Sequence, residues 1–145
     1  MAKGKSIVLT VEPKGNRIEG IAAEAILAGS MIAVDAAVEP ISGRHSYNAD
    51  TTAGVAIAYN SGLLGDINTD SVAIGERVFG YCPLPGDELN VLFLASEGAQ
   101  AIGDVVGPSG AAGLFASAGT GWVCMETITV GATPTAGTLV HCMKL

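Results

Sequence analysis

Charged side chains are scarce in this sequence. Aspartate, glutamate, lysine and arginine make up 14% of its 145 residues, whereas an average soluble domain contains about 25%. Aromatic residues are also few, at 5%. Because so few ionised groups are available to cover the exterior, we expect neighbouring polypeptide to cover part of it.

Cations are almost absent from the body of the chain. No lysine lies between Lys14 and Lys144, and the arginines are Arg17, Arg44 and Arg77. A Walker-type phosphate loop needs a lysine after its glycines, and a nucleic-acid interface needs a cluster of cations. The sequence therefore argues against a nucleotide site and against nucleic acid as a partner.

Patterns for metal binding and catalysis are missing as well. His45 and His141 occur in unlike settings, and the neighbours His141 and Cys142 would point to opposite faces of a strand. The acids Asp87 and Glu88 follow a Pro-Gly turn, where solvated carboxylates are expected. We therefore expect no metal, no cofactor and no enzymatic activity.

Segments that direct a chain to or through a membrane are not recognisable. The apolar run from Ile7 to Val11 is too short for the core of an export signal. The uncharged stretch from Val105 to Met125 holds five glycines and Pro108, which argues against a membrane span. With three cysteines and no export signal, we expect synthesis in a cytoplasm and reduced thiols.

The sequence does contain a series of short β-prone runs separated by turn residues. They are IVLTV (7–11), MIAV (31–34), GVAIAY (54–59), RVFGYC (77–82), NVLFLA (90–95), WVCMETITV (122–130) and TLVHCM (138–143). Their spacing predicts an all-β fold, a compact barrel or sandwich of short strands. One segment, RIEGIAAEAIL (17–27), fits either a strand or a two-turn helix.

One turn pattern occurs four times: a small or apolar residue, a glycine, a polar residue, and a β-former soon after. Its glycines are Gly29, Gly75, Gly103 and Gly137. Glycine supplies the positive φ that a tight turn requires. The intervals between the copies differ, so the pattern predicts the same type of turn at several places in one β domain and not a solenoid of fixed period.

The first 14 residues have the composition of an N-terminal arm ahead of a single β domain at 15–145. A small basic head precedes a β-prone pentapeptide and a Pro-Lys-Gly-Asn turn. Such a strand can add to the edge of a partner's sheet, or it can be the first strand of the chain's own sheet. The residues expected to bind the partner are Lys3, Lys5, Ile7, Val8, Leu9 and Val11.

The C-terminal third is nearly free of charge. From Val105 onward, the charged side chains are Glu126 and Lys144. This stretch fits a fully buried strand pair with a small-residue loop, or a surface that meets another polypeptide. The residues expected at an oligomer interface are Leu114, Phe115, Trp122 and Leu139.

Three segments resemble the head decoration, or capsid cement, proteins of tailed bacteriophages. They are GIAAEAILAGSMIAVDA (20–36), ADTTAGVAIAY (49–59) and SVAIGERVFGYC (71–82), followed by the Gly/Ala-rich end. The family's I-x-A-G-x-x-V and x-x-G-V-A segments are matched by residues 26–32 and 53–57. The resemblance implies a lambda-type β-clip or β-tulip barrel with an extended N-terminal arm.

The same resemblance implies a function and a partner. A protein of this family binds the major capsid protein as a homotrimer on the outer surface of the expanded shell and stabilises it. It is made in the host cytoplasm, resides in the virion and has no membrane partner. The alternative is a β-barrel module that binds a small sugar or acid in a pocket lined by Trp122, Tyr59 or Tyr81.

Overall fold

A computed structural model describes residues 7–8, 14–40, 43–50, 54–59, 71–109, 113–131 and 138–145. Throughout these residues the regular elements are β-strands, which confirms the predicted all-β fold. The ambiguous segment 17–27 forms strands and not a helix. Within the same residues, no helix is long and apolar enough to cross a membrane.

The first half of the chain forms a closed barrel of five strands. In spatial order, these are β1 (Asn16–Ala22), β4 (Ser46–Ala49), β3 (Met31–Val34), β5 (Ala56–Tyr59) and β7 (Arg77–Cys82). The pairing of β1 with β4 is parallel, and the other four pairings are antiparallel. Two short strands, β2 (Ile26–Leu27) and β6 (Ser71–Val72), pair separately as a ribbon.

The second half forms another closed five-stranded barrel. In spatial order, its strands are β8 (Glu88–Phe93), β11 (Phe115–Ala116), β10 (Val105–Pro108), β12 (Trp122–Cys124) and β14 (Thr138–Lys144). Here the pairing of β8 with β11 is the parallel one. The strands β9 (Gly98–Gln100) and β13 (Ile128–Val130) form the separate ribbon.

The two halves repeat one topology, since each strand of the first half has its counterpart seven strands later. The registers agree residue by residue: the pairs Ala22–Tyr47 and Phe93–Phe115 occupy the same place in their barrels. The remaining strand pairs of the two barrels also match, with no shift of register between equivalent pairs. In the described residues the chain is therefore a tandem structural repeat of a seven-stranded unit, which the sequence pattern did not indicate.

Hydrogen bonds outside the strands are duplicated too. Gly29 N–H donates to Ala58 O at 2.8 Å, and its counterpart Gly103 N–H donates to Cys124 O at 2.9 Å. A side chain repeats as well: Glu24 Oε1 accepts from Ala49 N–H, and Glu97 Oε2 accepts from Ser117 N–H. Equivalent bonds at equivalent places confirm that the two barrels share connections as well as strand order.

The predicted glycine turns lie at equivalent points of this repeat. Gly29 and Gly103 precede β3 and β10, with φ of 88° and 95°, and Gly75 precedes β7 with φ of 83°. In each turn the N–H of the residue after glycine donates to the carbonyl three residues earlier. The fourth copy, at Gly137, falls outside the described residues.

The barrels differ in what fills them. The first is lined mostly by small or aliphatic side chains, including Ala22, Ala56 and Ala58, and a side chain at Gly20 would overlap the Tyr47 ring. The counterparts of Ala22 and Ala56 in the second barrel are Phe93 and Trp122. These rings pack through a third, since Phe115 lies 6.3 Å from Phe93 and 5.2 Å edge-on from Trp122, measured between centroids. The second barrel therefore has the bulkier, aromatic core.

Candidate interaction site

The contact between the two barrels is made by the β2–β3 turn of the first. The Gly29 carbonyl accepts from Leu92 N–H on β8 at 2.9 Å, and Met31 N–H donates to Gly113 O beside β11 at 2.7 Å. A Cβ on Gly29 would lie 2.5 Å from a methyl carbon of Leu139. The turn therefore inserts between β8 and β11, and its glycine is required by close packing as well as by backbone conformation.

Side chains pointing out of the first barrel complete this contact. Ala28, Ile57 and Tyr81 are buried in one hydrophobic cluster with Leu92 and Leu139 of the second barrel. Ile57 points outward because its strand neighbours, Ala56 and Ala58, face the interior of the first barrel. The barrels are thus held together by an apolar face and by backbone hydrogen bonds.

Strand β8 receives three separate segments along one edge. The alternate amides of Asn90 and Leu92 on β8, and of Leu94 directly after it, donate to the carbonyls of Ile7, Gly29 and Phe115, at 2.7, 2.9 and 2.9 Å respectively. Val8 adds a single antiparallel bridge to Leu89. The described part of the N-terminal segment therefore adds to the chain's own sheet, in the manner of one of the two predicted arrangements.

Of the predicted arm residues, the structure describes Ile7 and Val8. The Ile7 side chain is 5% exposed and belongs to the same hydrophobic cluster as the second barrel, while Val8 packs against that cluster. Lys3, Lys5, Leu9 and Val11 lie outside the described residues. Capsid binding by these six residues remains a prediction.

Asp87 fixes the point where the N-terminal segment joins the first barrel. Its Oδ2 accepts from Gly15 N–H at 3.2 Å, Leu84 N–H at 3.0 Å and the Tyr81 hydroxyl at 2.7 Å. Its Oδ1 accepts from Lys14 N–H at 3.1 Å. The side chain is fully buried. The expectation of a solvated carboxylate at this position was therefore wrong, because the turn directs the Asp87 carboxylate inward, where three backbone N–H groups and one hydroxyl donate to it.

These donors also set the charge state of Asp87. Burial by itself would raise the pKa of this carboxyl, but the hydrogen bonds from Leu84, Tyr81, Lys14 and Gly15 outweigh it and leave the pKa below its usual value. Burial, together with the hydrogen bond to Asp87, raises the pKa of the Tyr81 phenol. Asp87 is therefore ionised and Tyr81 neutral at physiological pH.

A sequence signal for this anchor does exist. In the turn from Leu84 to Asp87, Gly86 has φ of 93° and the acid that follows it caps the first residue. The turn at Gly103 has the same design, since Asp104 Oδ2 accepts from Ala101 N–H at 2.8 Å. Pro85-Gly86-Asp87 was thus one more copy of the glycine turn, and could have been predicted as one.

The residues expected at an oligomer interface lie largely inside the second barrel. Phe115 and Trp122 belong to its aromatic core, and Leu139 is buried against the first barrel. Leu114 is half-buried and packs against the same cluster. Burial within one chain accounts for the apolar character of these residues, so Phe115 and Trp122 have no surface left to offer a second protomer.

The aromatic residues proposed for a ligand pocket are dispersed. Trp122 is buried in the second barrel, whereas Tyr81 lies outside the first barrel and donates to Asp87. Tyr59 is half-buried and contacts Phe79, with ring centroids 5.9 Å apart. Nothing in this arrangement favours the sugar-binding or acid-binding alternative.

The fold as a whole resembles a solved structure. It is similar to the head fiber gp8.5 N base of bacteriophage phi29, with a TM-score of 0.55 over 90% of this chain and 94% of that one. The chain shares the fold of a phage head-fiber base. The two sequences are 12% identical. No protein-family model and no curated protein sequence matches the chain.

Proposed function

We propose that this chain is a structural protein of a bacteriophage head, bound to the outer surface of the expanded capsid through the major capsid protein. The observation that carries the proposal is the fold, which matches a phage head-fiber base over 90% of the chain. The scarcity of charge supports it, because a protein embedded in a larger assembly needs fewer ionised groups on its exterior.

In this proposal, the protein acts as a homotrimer without enzymatic activity and resides in the virion after synthesis in the host cytoplasm. Each trimer adds contacts across the boundaries between capsid subunits. Because these contacts are repeated over the whole shell, weak individual contacts sum to a large collective stabilisation.

The N-terminal arm makes the contact with the shell. Ile7 holds this segment against the second barrel, and the buried Asp87 holds Lys14 and Gly15 at the start of the first barrel. Lys3 and Lys5 precede Ile7 by four and two residues in the sequence, so the buried Ile7 side chain anchors the chain directly after the basic head. A basic segment tethered at a fixed place suits an acidic surface of the shell.

The test is co-sedimentation with expanded and unexpanded shells assembled from the major capsid protein of the same phage. We expect binding to expanded shells in preference to unexpanded ones. The double variant Lys3→Glu/Lys5→Glu should weaken binding about tenfold or more, because it reverses the charge of the head and leaves Ile7 in place. Lys14→Glu, which reverses one lysine outside the basic head and so makes half of that charge change, is the control and should bind normally.

Two results would count against the proposal. If the wild-type chain sediments with neither form of the shell, it is not a capsid protein. If the double variant binds as tightly as Lys14→Glu, the basic head does not make the contact.

A further inference from the structure

The second barrel carries an exposed copy of the surface through which the first barrel contacts it. We define the docking face as the five residues on the β2–β3 turn and on strands β3, β5 and β7 that belong to, or pack against, the cluster shared by the two barrels. These are Ala28, Met31, Ile57, Tyr59 and Tyr81.

The registers assign each of these residues a counterpart in the second barrel. The counterparts are Ile102, Val105, Val123, Met125 and Met143. All five are apolar, as in the docking face itself. Ile102 is 68% exposed and Val105 is 53% exposed, while the other three are half-buried. The copy has therefore kept the apolar character of an interface, but the described part of the chain leaves Ile102 and Val105 exposed.

The contact inside the chain is heterologous, because the docking face packs on a different surface of the second barrel. That receiving surface includes Leu92 on β8 and Leu139 on β14. Gly29 is packed against both residues, whereas its counterpart Gly103 has open space around it. A heterologous contact leaves one docking face and one receiving surface unused at the two ends of the pair.

The unused receiving surface lies on the first barrel. The counterparts of Leu92 and Leu139 are Ile21 and Arg77, which pair across β1 and β7. Phe79 is not one of these counterparts, but it lies two residues along β7 from Arg77 and so faces the same side of the strand. Ile21 and Phe79 are both half-buried, and their cross-strand partners are Arg77 and Glu19 respectively. Glu19 Oε1 lies 3.1 Å from Arg77 Nε and 3.2 Å from an Arg44 nitrogen, so the cluster keeps one net positive charge.

Charge on the exposed copy is complementary to this cluster. Asp104 is exposed and follows Ile102 and Gly103 in the same turn. A turn with an apolar tip and an adjacent carboxylate fits a half-buried apolar surface edged by arginines. Two surfaces of one chain are therefore complementary in both hydrophobicity and charge.

We infer that a second copy of the chain binds head-to-tail, with Ile102 and Val105 of one protomer packed on Ile21 and Phe79 of the next. This inference deepens the proposed homotrimer, on which it rests, by naming its interface. One difference from the contact inside the chain is expected. Ile21 N–H already donates to His45 O at 3.0 Å, so side chains, and not a bond to this amide, make the contact between protomers.

The direct test is photo-crosslinking from residue 102. The full chain is made with p-benzoylphenylalanine in place of Ile102, mixed with 15N-labelled chain, irradiated and digested with trypsin. We expect a crosslink to residues 18–44 or 78–79 of the other isotopic form. A chain with the same probe in place of Ile74 is the control, because Ile74 is 72% exposed in an equivalent glycine turn but lies outside the copied face. Crosslinks from residue 102 to the region around residue 102 of the second copy would overturn the head-to-tail arrangement.

The second measurement is the trimer dissociation constant by sedimentation equilibrium. Ile102→Asp should raise it about tenfold or more, because a carboxylate in place of the apolar tip would lose its hydration against the Ile21 and Phe79 side chains. Ile74→Asp, the matched control, should leave it unchanged. Equal dissociation constants for the two variants would overturn the inference.

Repeating the crosslinking on expanded shells separates this inference from the proposed function. A chain that binds shells, but crosslinks from residue 102 to the major capsid protein alone, would overturn the inference and leave the capsid function in place. If the chain does not bind shells but still gives the head-to-tail crosslink, the capsid function would be overturned and the interface supported.

Discussion

Replacing Asp87 by asparagine tests whether the buried carboxylate holds the N-terminal segment in place. Asparagine can keep an oxygen at the Oδ2 position and so retain the donors Gly15, Leu84 and Tyr81. Its amide nitrogen would then face Lys14 N–H. Bonds to an ionised acceptor are about twice as strong as neutral ones, so each retained bond loses about 1 kcal/mol. The fourth hydrogen bond, from Lys14 N–H, is lost altogether. Its loss is offset because the variant no longer has the desolvation cost of a buried charge.

The net expectation is a loss of about 3 kcal/mol in the free energy of unfolding, or about 10 °C in Tm. Urea titration of the wild type and of Asp87→Asn measures it. Asp35→Asn is the control, because Asp35 accepts a single bond from Ala37 N–H at the surface, and should change stability by less than about 0.5 kcal/mol.

The pH dependence gives a sharper version of the same test. The pKa of Asp87 is lower in the folded chain than its usual value. The Asp87 carboxylate therefore makes its full contribution to the free energy of unfolding above the unfolded pKa of about 4. This contribution is lost as the pH falls through the folded pKa. The stability gap between wild type and Asp87→Asn should be constant between about pH 5 and 8 and should shrink below about pH 4. A gap below about 1 kcal/mol at pH 7, or an equal gap at pH 3, would refute the anchoring argument.

Three further predictions concern core packing, the repeat and the thiols. Ile7→Ala should cost about 3 kcal/mol in urea unfolding because the side chain is buried, whereas Ile74→Ala at an exposed turn should cost less than about 0.5 kcal/mol. Gly103→Ala should lower the free energy of unfolding by about 1 kcal/mol, because of the positive φ alone. Gly29→Ala should lower it by at least about 1 kcal/mol more, because its Cβ would also overlap the second barrel. Equal losses would mean that the barrels do not pack at this turn. Under iodoacetamide at pH 8, mass spectrometry should find Cys82 alkylated first, since the other two thiols are buried; simultaneous labelling of all three would contradict the described burial.

Strands with a strong local pattern could be predicted from the sequence. MIAV and RVFGYC coincide with β3 and β7, because β-branched and aromatic residues favour a pleated, half-buried surface. The four residues of β4, SYNA, have no such pattern. They form a strand because β1 and β3 pair on either side of them. The run WVCMETITV divides into β12 and β13 because its second part pairs with β9 in the ribbon.

The repeat and the anchor were missed for different physical reasons. Equivalent positions of the two barrels hold different side chains, such as Ala56 and Trp122, and the loops between strands differ in length. Backbone pairing preserves a topology without requiring the same residues, so the repeat is visible in the registers and not in the sequence. Asp87 was missed because solvation was assigned from turn composition, whereas the surrounding donors belong to strand β7 and to the N-terminal segment.

The asymmetry between the two barrels determines how far each depends on the rest of the chain. Ile21 N–H donates to His45 O within the first barrel, which closes that side of β1. In the second barrel the equivalent amide, Leu92 N–H, is satisfied by Gly29, and Asn90 N–H is satisfied by Ile7. Without those segments, two amides on β8 and the apolar cluster around Leu139 would face water, which would cost about 1 kcal/mol for each lost hydrogen bond in addition to the lost apolar burial. The barrel with the aromatic core therefore gains more from its neighbour, and the contact inside the chain stabilises the fold as well as being the precedent for the proposed assembly.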